Sequence, residues 1–134
     1  MNILCVIPAR SGSKAIKDKN IKLFKGKPLL AHSIEYAKRS DLITETIIST
    51  DSKRYAKIAE KHGGNVPFLR PKDLAKDSSQ DIDFIYHALV ECERIFKLEF
   101  HYVILLRPTS PLRPEGLIEK GMQMITSDKN ASSL

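Results

Sequence analysis

The sequence predicts an α/β domain: an open, mostly parallel sheet with helices on both faces. Three observations lead there. Residues 3–7 and 102–106 are unbroken apolar runs too short for helices, as expected of strands buried on both faces. Residues 45–50 form a β-branched run, and the intervening segments carry helical apolar spacing. Strand and helix alternate without an internal repeat or a low-complexity stretch, which implies right-handed crossovers.

Residues 3–7 make the first strand, ended by Pro8, and a long basic loop runs from there to Lys27. Pro28 stands where proline is favoured at a helix start; Leu29, Leu30, Ser33, Ile34 and Ala37 give one face of a helix to about Arg39. After the strand at 45–50, Asp51 or Ser52 can cap a helix whose inner face is Tyr55, Ile58 and Ala59, with Gly63 and Gly64 as its stop. Residues 66–69 are expected as a short peripheral strand broken by Pro67, followed by a polar loop to Gln80. Asp81 reads as the cap of the clearest helix, with Ile82, Ile85, Tyr86, Leu89, Ile95 and Phe96 facing inward. Residues 102–106 are expected as a central strand. Pro108, Pro111 and Pro114 then hold a loop extended before a last helix over 115–126, built on Leu117, Ile118, Gly121, Met122 and Ile125. A further strand is expected beyond Asn130, so residues 1–134 read as the N-terminal part of a single domain.

The 134 residues, 42% hydrophobic and 28% charged, fit one globular domain and exclude a disordered, collagen-like or disulfide-dense chain. No apolar run approaches the ~20 residues of a membrane helix. The start lacks the pattern of a secretory signal, so a cytoplasmic setting is expected. Cys5 and Cys92 lie far apart in apolar surroundings and read as buried reduced thiols. His32, His62, His87 and His101 show no metal spacing and no paired nucleophile, and read as structural or solvent-facing.

The net charge of +6 suits an anionic partner. It is concentrated between residues 10 and 27, where Arg10, Lys14, Lys17, Lys19, Lys22, Lys25 and Lys27 face one acid, Asp18. Within that loop Ser11, Gly12 and Ser13 let backbone N–H groups approach oxygens closely, while Arg10, Lys14 and Lys19 neutralise charge. The spacing is neither a Walker loop nor a three-glycine dinucleotide turn, so the residues alone leave a phosphate cradle and a solvated basic loop both open. In sheets of this class ligands sit beyond the carboxyl ends of strands where the strand order reverses. The loops 8–20 and 107–113 are expected to flank one crevice there.

The string IPARSGSKAIKDKN at residues 7–20 resembles the opening motif of the acylneuraminate cytidylyltransferases, or CMP-sialic acid synthetases, I-P-A-R-x-G-S-K-x-I-x-x-K-N. Further matches run in register at 26–29, 48–51, 66–71, 87–89, 105–106 and 108–113. The resemblance implies a nucleotide-diphospho-sugar transferase type of Rossmann-like, three-layer α/β/α fold. It implies an enzyme that moves CMP from CTP to the anomeric hydroxyl of an acidic nine-carbon sugar, a nonulosonic acid, with Mg²⁺ and release of pyrophosphate. By position, Arg10, Lys14 and Lys19 would hold the triphosphate, Asn20 and Arg70 the nucleoside, and Thr109 and Ser110 would lie near the reacting centre. The family's metal-binding aspartates lie beyond residue 134, so no metal ligand is assigned; Asp51 is read as a cap. Family members pair as homodimers.

Lys17, Asp18 and Ala15 depart from the usual proline, arginine and glycine, and Asp81 stands near a usual serine or threonine. Arg107 replaces a glutamine facing the sugar, which suits a sugar carboxylate or a different acidic sugar, pseudaminic- or legionaminic-like. A non-catalytic nucleotide-binding domain is the alternative. A nucleic-acid module is disfavoured because no known nucleic-acid motif appears in the sequence.

Overall fold

The computed structural model describes residues 1–13 and 15–133. β1 (Ile3–Pro8) is buried along its whole length, and Pro8 ends it from inside the strand rather than after it. Lys14 lies outside the described residues. The basic loop then closes into a one-turn 3₁₀ helix at Lys19–Ile21 and a small antiparallel hairpin of β2 (Leu23–Phe24) and β3 (Lys27–Pro28). The two-residue turn of this hairpin needs positive φ at both positions, 50° at Lys25 and 81° at Gly26. Two-residue strands leave no periodicity to read, so this hairpin escapes the sequence pattern.

α1 (Leu29–Lys38) starts after Pro28, as expected, and buries Leu30, Ala31, Ser33, Ile34 and Ala37. β4 (Glu45–Ser49) leads into α2 (Lys53–Lys61). Ser52 caps α2, its Oγ accepting from Tyr55 N at 3.2 Å; such a cap contributes about 1 kcal/mol. Asp51 does not cap. Gly63, at φ 85°, turns the chain away just after α2, and Gly64 lets the turn pack closely, since a Cβ there would lie 2.6 Å from Ile48 Cδ1.

Residues 66–69 are not a strand. Pro67 and Pro71 remove ladder donors; the flanking residues are tied to β4 and its end by Ile48 N to Asn65 O and Arg70 N to Thr50 O, and Val66 and Phe68 pack by their side chains against the two core layers. The loop beyond contains a 3₁₀ turn at Lys72–Leu74.

α3 (Asp81–Phe96) has Gln80, not Asp81, in the cap position; Asp81 is the first helical residue. Its buried face is Phe84, Ala88 and Cys92, with Ile85, Leu89 and Phe96 partly covered. Ile82 and Tyr86, expected inside, are exposed, and Ile95 is at the exposed margin. β5 (Tyr102–Leu105) follows, and then α4 (Leu117–Ser127), which buries Ile118 and Met122 but leaves Leu117 exposed.

β4, β1 and β5 form one parallel sheet in that order, with Val6 opposite Ile47 and Leu105. Among the described residues β1 is therefore the central strand, and β5, expected as central, has a strand neighbour on one side, β1, with half-buried residues. Alternate side chains of β1 point to opposite layers. Ile3, Cys5 and Ile7 pack with α1, α2 and α4 through Ile34, Tyr55, Ala59, Ile118 and Met122. Leu4 and Val6 pack with α3 through Phe84, Ala88 and Cys92. Helices thus cover both faces, and each fully buried aliphatic side chain contributes roughly 1.5–3 kcal/mol. Cys5 and Cys92 are buried and free, one in each layer, and burial pushes both thiols up to about 12. No helix of the described residues is long and apolar enough to cross a membrane.

The chain leaves β1 toward β4 on one side and returns to β5 on the other. The strand order reverses between β1 and β5, so the loops leaving these two strands diverge and open a cleft above their carboxyl ends.

Candidate functional site

That cleft is lined by three parts of the chain. The β1 loop supplies Pro8, Arg10, Lys19 and Asn20; the β5 loop supplies Arg107, Pro108 and Thr109. The segment before and into α3 closes the third side with Arg70, Lys76, Asp77, Ser79, Asp81 and Phe84. Five basic side chains against two acidic ones give the lining an excess of positive charge.

Of the residues singled out in the sequence, Arg10, Lys19, Asn20, Arg70, Arg107 and Thr109 meet in this cleft. Ser11, Gly12, Ser13 and Ser110 are not among its lining residues. Ser11 is turned away: its N–H and Oγ–H both donate to Asp51, at 2.9 and 2.8 Å. Gly12 is not among the positive-φ glycines and has open space where a Cβ would stand, so neither a left-handed φ nor crowding within the chain demands glycine there.

The β1 loop is tied down from several directions. Ala9 N donates to Ser49 O at 2.9 Å, and the buried Asn20 donates through Nδ2 to Arg10 O at 3.1 Å. Asp18, at φ 53°, receives the Tyr55 hydroxyl at 2.6 Å and Arg54 Nη1 at 3.2 Å, which anchors the loop to α2 immediately before Lys19. Aspartate tolerates this left-handed angle better than most residues.

The Tyr55 hydrogen bond, aided by Arg54, holds the Asp18 carboxyl below its usual range. A depressed acid stabilises the fold fully above its unfolded pKa of about 3.9, and loses that contribution as pH falls through the lower folded value. Asp18→Asn keeps an acceptor and tolerates the same φ. Its deficit in melting temperature relative to the parent should therefore be present at neutral pH and shrink below about pH 4. A deficit unchanged between neutral pH and about pH 3 would show that the charge of Asp18 contributes nothing.

The guanidinium of Arg10 reaches Gly12 O at 3.0 Å and Asp77 Oδ1 at 2.6 Å. Arg107 pairs with Asp81 across the mouth, which is what the Asp81 side chain does instead of capping. Arg70 lies beneath the cleft, 3% exposed. It donates through Nε to Ser49 Oγ and through Nη2 to Ser49 O, both at 2.9 Å, and through Nη1 to Leu74 O at 3.3 Å. Its guanidinium also sits 4.1 Å from the centre of the Phe84 ring. Burial lowers its pKa from the usual guanidinium value, opposed by the Asp51 carboxylate, but it stays protonated at neutral pH.

The β5 loop is braced by residues whose part sequence reasoning missed. Arg113 donates to Arg107 O and stands over the Tyr36 ring, and the Tyr36 hydroxyl donates to Pro114 O at 2.6 Å. Asp77 and Phe84 were missed as lining residues too; their only sequence signal was position in or just after the polar loop.

The described residues do not fit a Mg²⁺ site. They contain no group of three or more candidate ligands, both Asp51 oxygens are taken by Ser11, and Asp77 and Asp81 face arginines.

A family model described as Cytidylyltransferase matches residues 4–133. The chain is 43% identical over 124 residues to a CMP-N,N'-diacetyllegionaminic acid synthase of Legionella pneumophila, covering 92% of this chain and 53% of that protein. It is 42% identical over 122 residues to an N-acylneuraminate cytidylyltransferase of Escherichia coli, covering 91% and 28%. Among solved structures, a CMP:2-keto-3-deoxy-manno-octonic acid synthetase complexed with CTP superposes with a TM-score of 0.77 at 24% identity, over 97% of this chain and 49% of that one. The chain thus spans about half the length, or less, of the relatives it matches.

Proposed function

The chain belongs to the cytidylyltransferase family, and we propose that it binds CTP in the β1–β5 cleft and transfers CMP to the anomeric hydroxyl of an acidic nine-carbon sugar, releasing pyrophosphate. The observation that carries this reading is the excess of basic side chains at the reversal of strand order, where a polyanionic nucleotide is the natural occupant. The names of the relatives, a legionaminic and an acylneuraminic enzyme, support a nonulosonic acid as acceptor.

In this reading Arg10 and Lys19 hold the triphosphate, joined by Lys14 and by the backbone N–H groups of Gly12 and Ser13. Asn20 faces the nucleoside, and Arg70 braces that side from below. Thr109 and Ser110 lie toward the reacting centre, and Arg107 exchanges Asp81 for the sugar carboxylate. In-line attack of the sugar hydroxyl on the α-phosphorus forms one P–O bond as the bridging bond to pyrophosphate breaks, and the hydroxyl proton passes to solvent. Such a step needs orientation and charge stabilisation more than covalent help, which a loop tied at both ends supplies. Mg²⁺ use, a homodimer and a cytoplasmic setting belong to the same proposal.

Calorimetric titration with the four nucleoside triphosphates tests the reading, followed by pyrophosphate release with CTP, Mg²⁺ and either sialic or legionaminic acid. CTP should bind at least about tenfold more tightly than the others. CTP bound without turnover would move the reading to a nucleotide-binding domain, and absence of any CTP preference would overturn it.

A further inference from the structure

We propose that Asp51 is a positioning residue for the phosphate-facing loop, acting through Ser11 to hold Arg10 and the N–H groups after it in a binding geometry. The inference rests on the reading that the cleft takes a nucleotide triphosphate.

Three observations single out Asp51. It stands two residues after the end of β4, where a helix cap is expected, but Ser52 takes that role and leaves the Asp51 carboxylate for another partner. Both of its oxygens are engaged by one residue 40 positions away, Ser11, through the main-chain N–H at 2.9 Å and the hydroxyl at 2.8 Å. Ser11 adjoins Arg10, whose carbonyl is held by Asn20 and whose preceding residue Ala9 is bonded to Ser49. Residues 9–11 are therefore fixed from the end of β4 on one side and the 3₁₀ turn on the other. A two-point carboxylate clamp on a main-chain N–H and its own hydroxyl fixes both the direction of the chain and the rotamer of Ser11.

Electrostatics alone argues against an acid at this position. A carboxylate beside a triphosphate site repels the ligand, so removing it should tighten binding. Positioning predicts the opposite sign, because a loosened loop must be ordered again by the ligand. The sign of one substitution therefore separates the two effects.

The test measures binding of CTP, tripolyphosphate and cytidine to the parent protein, to Asp51→Ala, Asp51→Asn and Ser11→Ala, and to the double variant Ser11→Ala with Asp51→Ala, with circular dichroism confirming each fold. Asp51→Ala should weaken CTP and tripolyphosphate by about tenfold or more and leave cytidine unchanged. Asp51→Asn keeps an acceptor for Ser11 N–H and should stay within about threefold of the parent. Ser11→Ala should add little when Asp51 is already alanine. CTP binding that is unchanged or tighter in Asp51→Ala overturns the proposal, as does a loss shared equally by cytidine, which marks a general defect of the fold. A parent that binds tripolyphosphate but not CTP sinks the nucleotide reading while the role of Asp51 is still decided on tripolyphosphate. A parent that binds neither overturns both.

Discussion

Arg70→Ala is expected to lower the stability of the domain by about 3–5 kcal/mol, a fall in melting temperature of roughly 10–20 °C for a chain of this size. The guanidinium is 3% exposed and engages Ser49 Oγ, Ser49 O and Leu74 O with three different nitrogens. Truncation removes all three bonds at once. It strands Ser49 Oγ at the buried end of β4, at a cost of about 1–3 kcal/mol if water cannot reach it, leaves Ser49 O with its bond from Ala9 N alone, and opens a void against the Phe84 ring. Arg70→Lys should recover little, because one ammonium cannot span three acceptors that a planar fork spans. Denaturant unfolding of both variants reads the effect. A loss below about 1 kcal/mol would mean that water replaces the guanidinium and that Arg70 is not the strut beneath the cleft.

The parts of this fold that were legible are those in which only one structure satisfies the local pattern. Five consecutive apolar residues ending at a proline have no helical alternative, and β1 followed. Pro28 before Leu29, and Gly63 with Gly64 after α2, are backbone requirements written into residue type. α3 was legible as a helix but not as a face, because it carries two apolar stripes, Ile82 with Tyr86 and Phe84 with Ala88 and Cys92. Periodicity is the same for both, and only the sheet beneath decides which is buried.

The cleft shows the same division. Arg10, Lys19 and Asn20 sit in one continuous motif, and local chemistry marks them. Asp51 and Ser52 are adjacent and equally able to cap, and the choice between them is made by Ser11, forty residues upstream. Asp77 and Asp81 acquire meaning only by meeting Arg10 and Arg107, partners distant in the chain. Pairings of that range depend on the strand order, and no window of sequence contains both halves.

On the proposed function, Arg10→Ala is expected to weaken CTP binding about a hundredfold, more than any other single change in the cleft. Each charge-assisted bond to phosphate is worth about 1.5–3 kcal/mol, and the Arg10 fork can make two. Its present contacts, Gly12 O and the Asp77 carboxylate, are ones an incoming phosphate can replace without disturbing the sheet. Lysine at this position offers a point charge without the fork, so Arg10→Lys should recover only part of the loss. Because the ligand must displace Asp77, Asp77→Asn should shift affinity the other way, tightening CTP several-fold. Salt supplies an independent check: between about 0.05 and 0.5 M, parent affinity should fall more steeply than that of Arg10→Ala, which has lost one of the screened contacts. If Arg10→Ala binds CTP within about threefold of the parent, the Arg10 fork serves Gly12 and Asp77 rather than the ligand, and the triphosphate must be held elsewhere in the cleft.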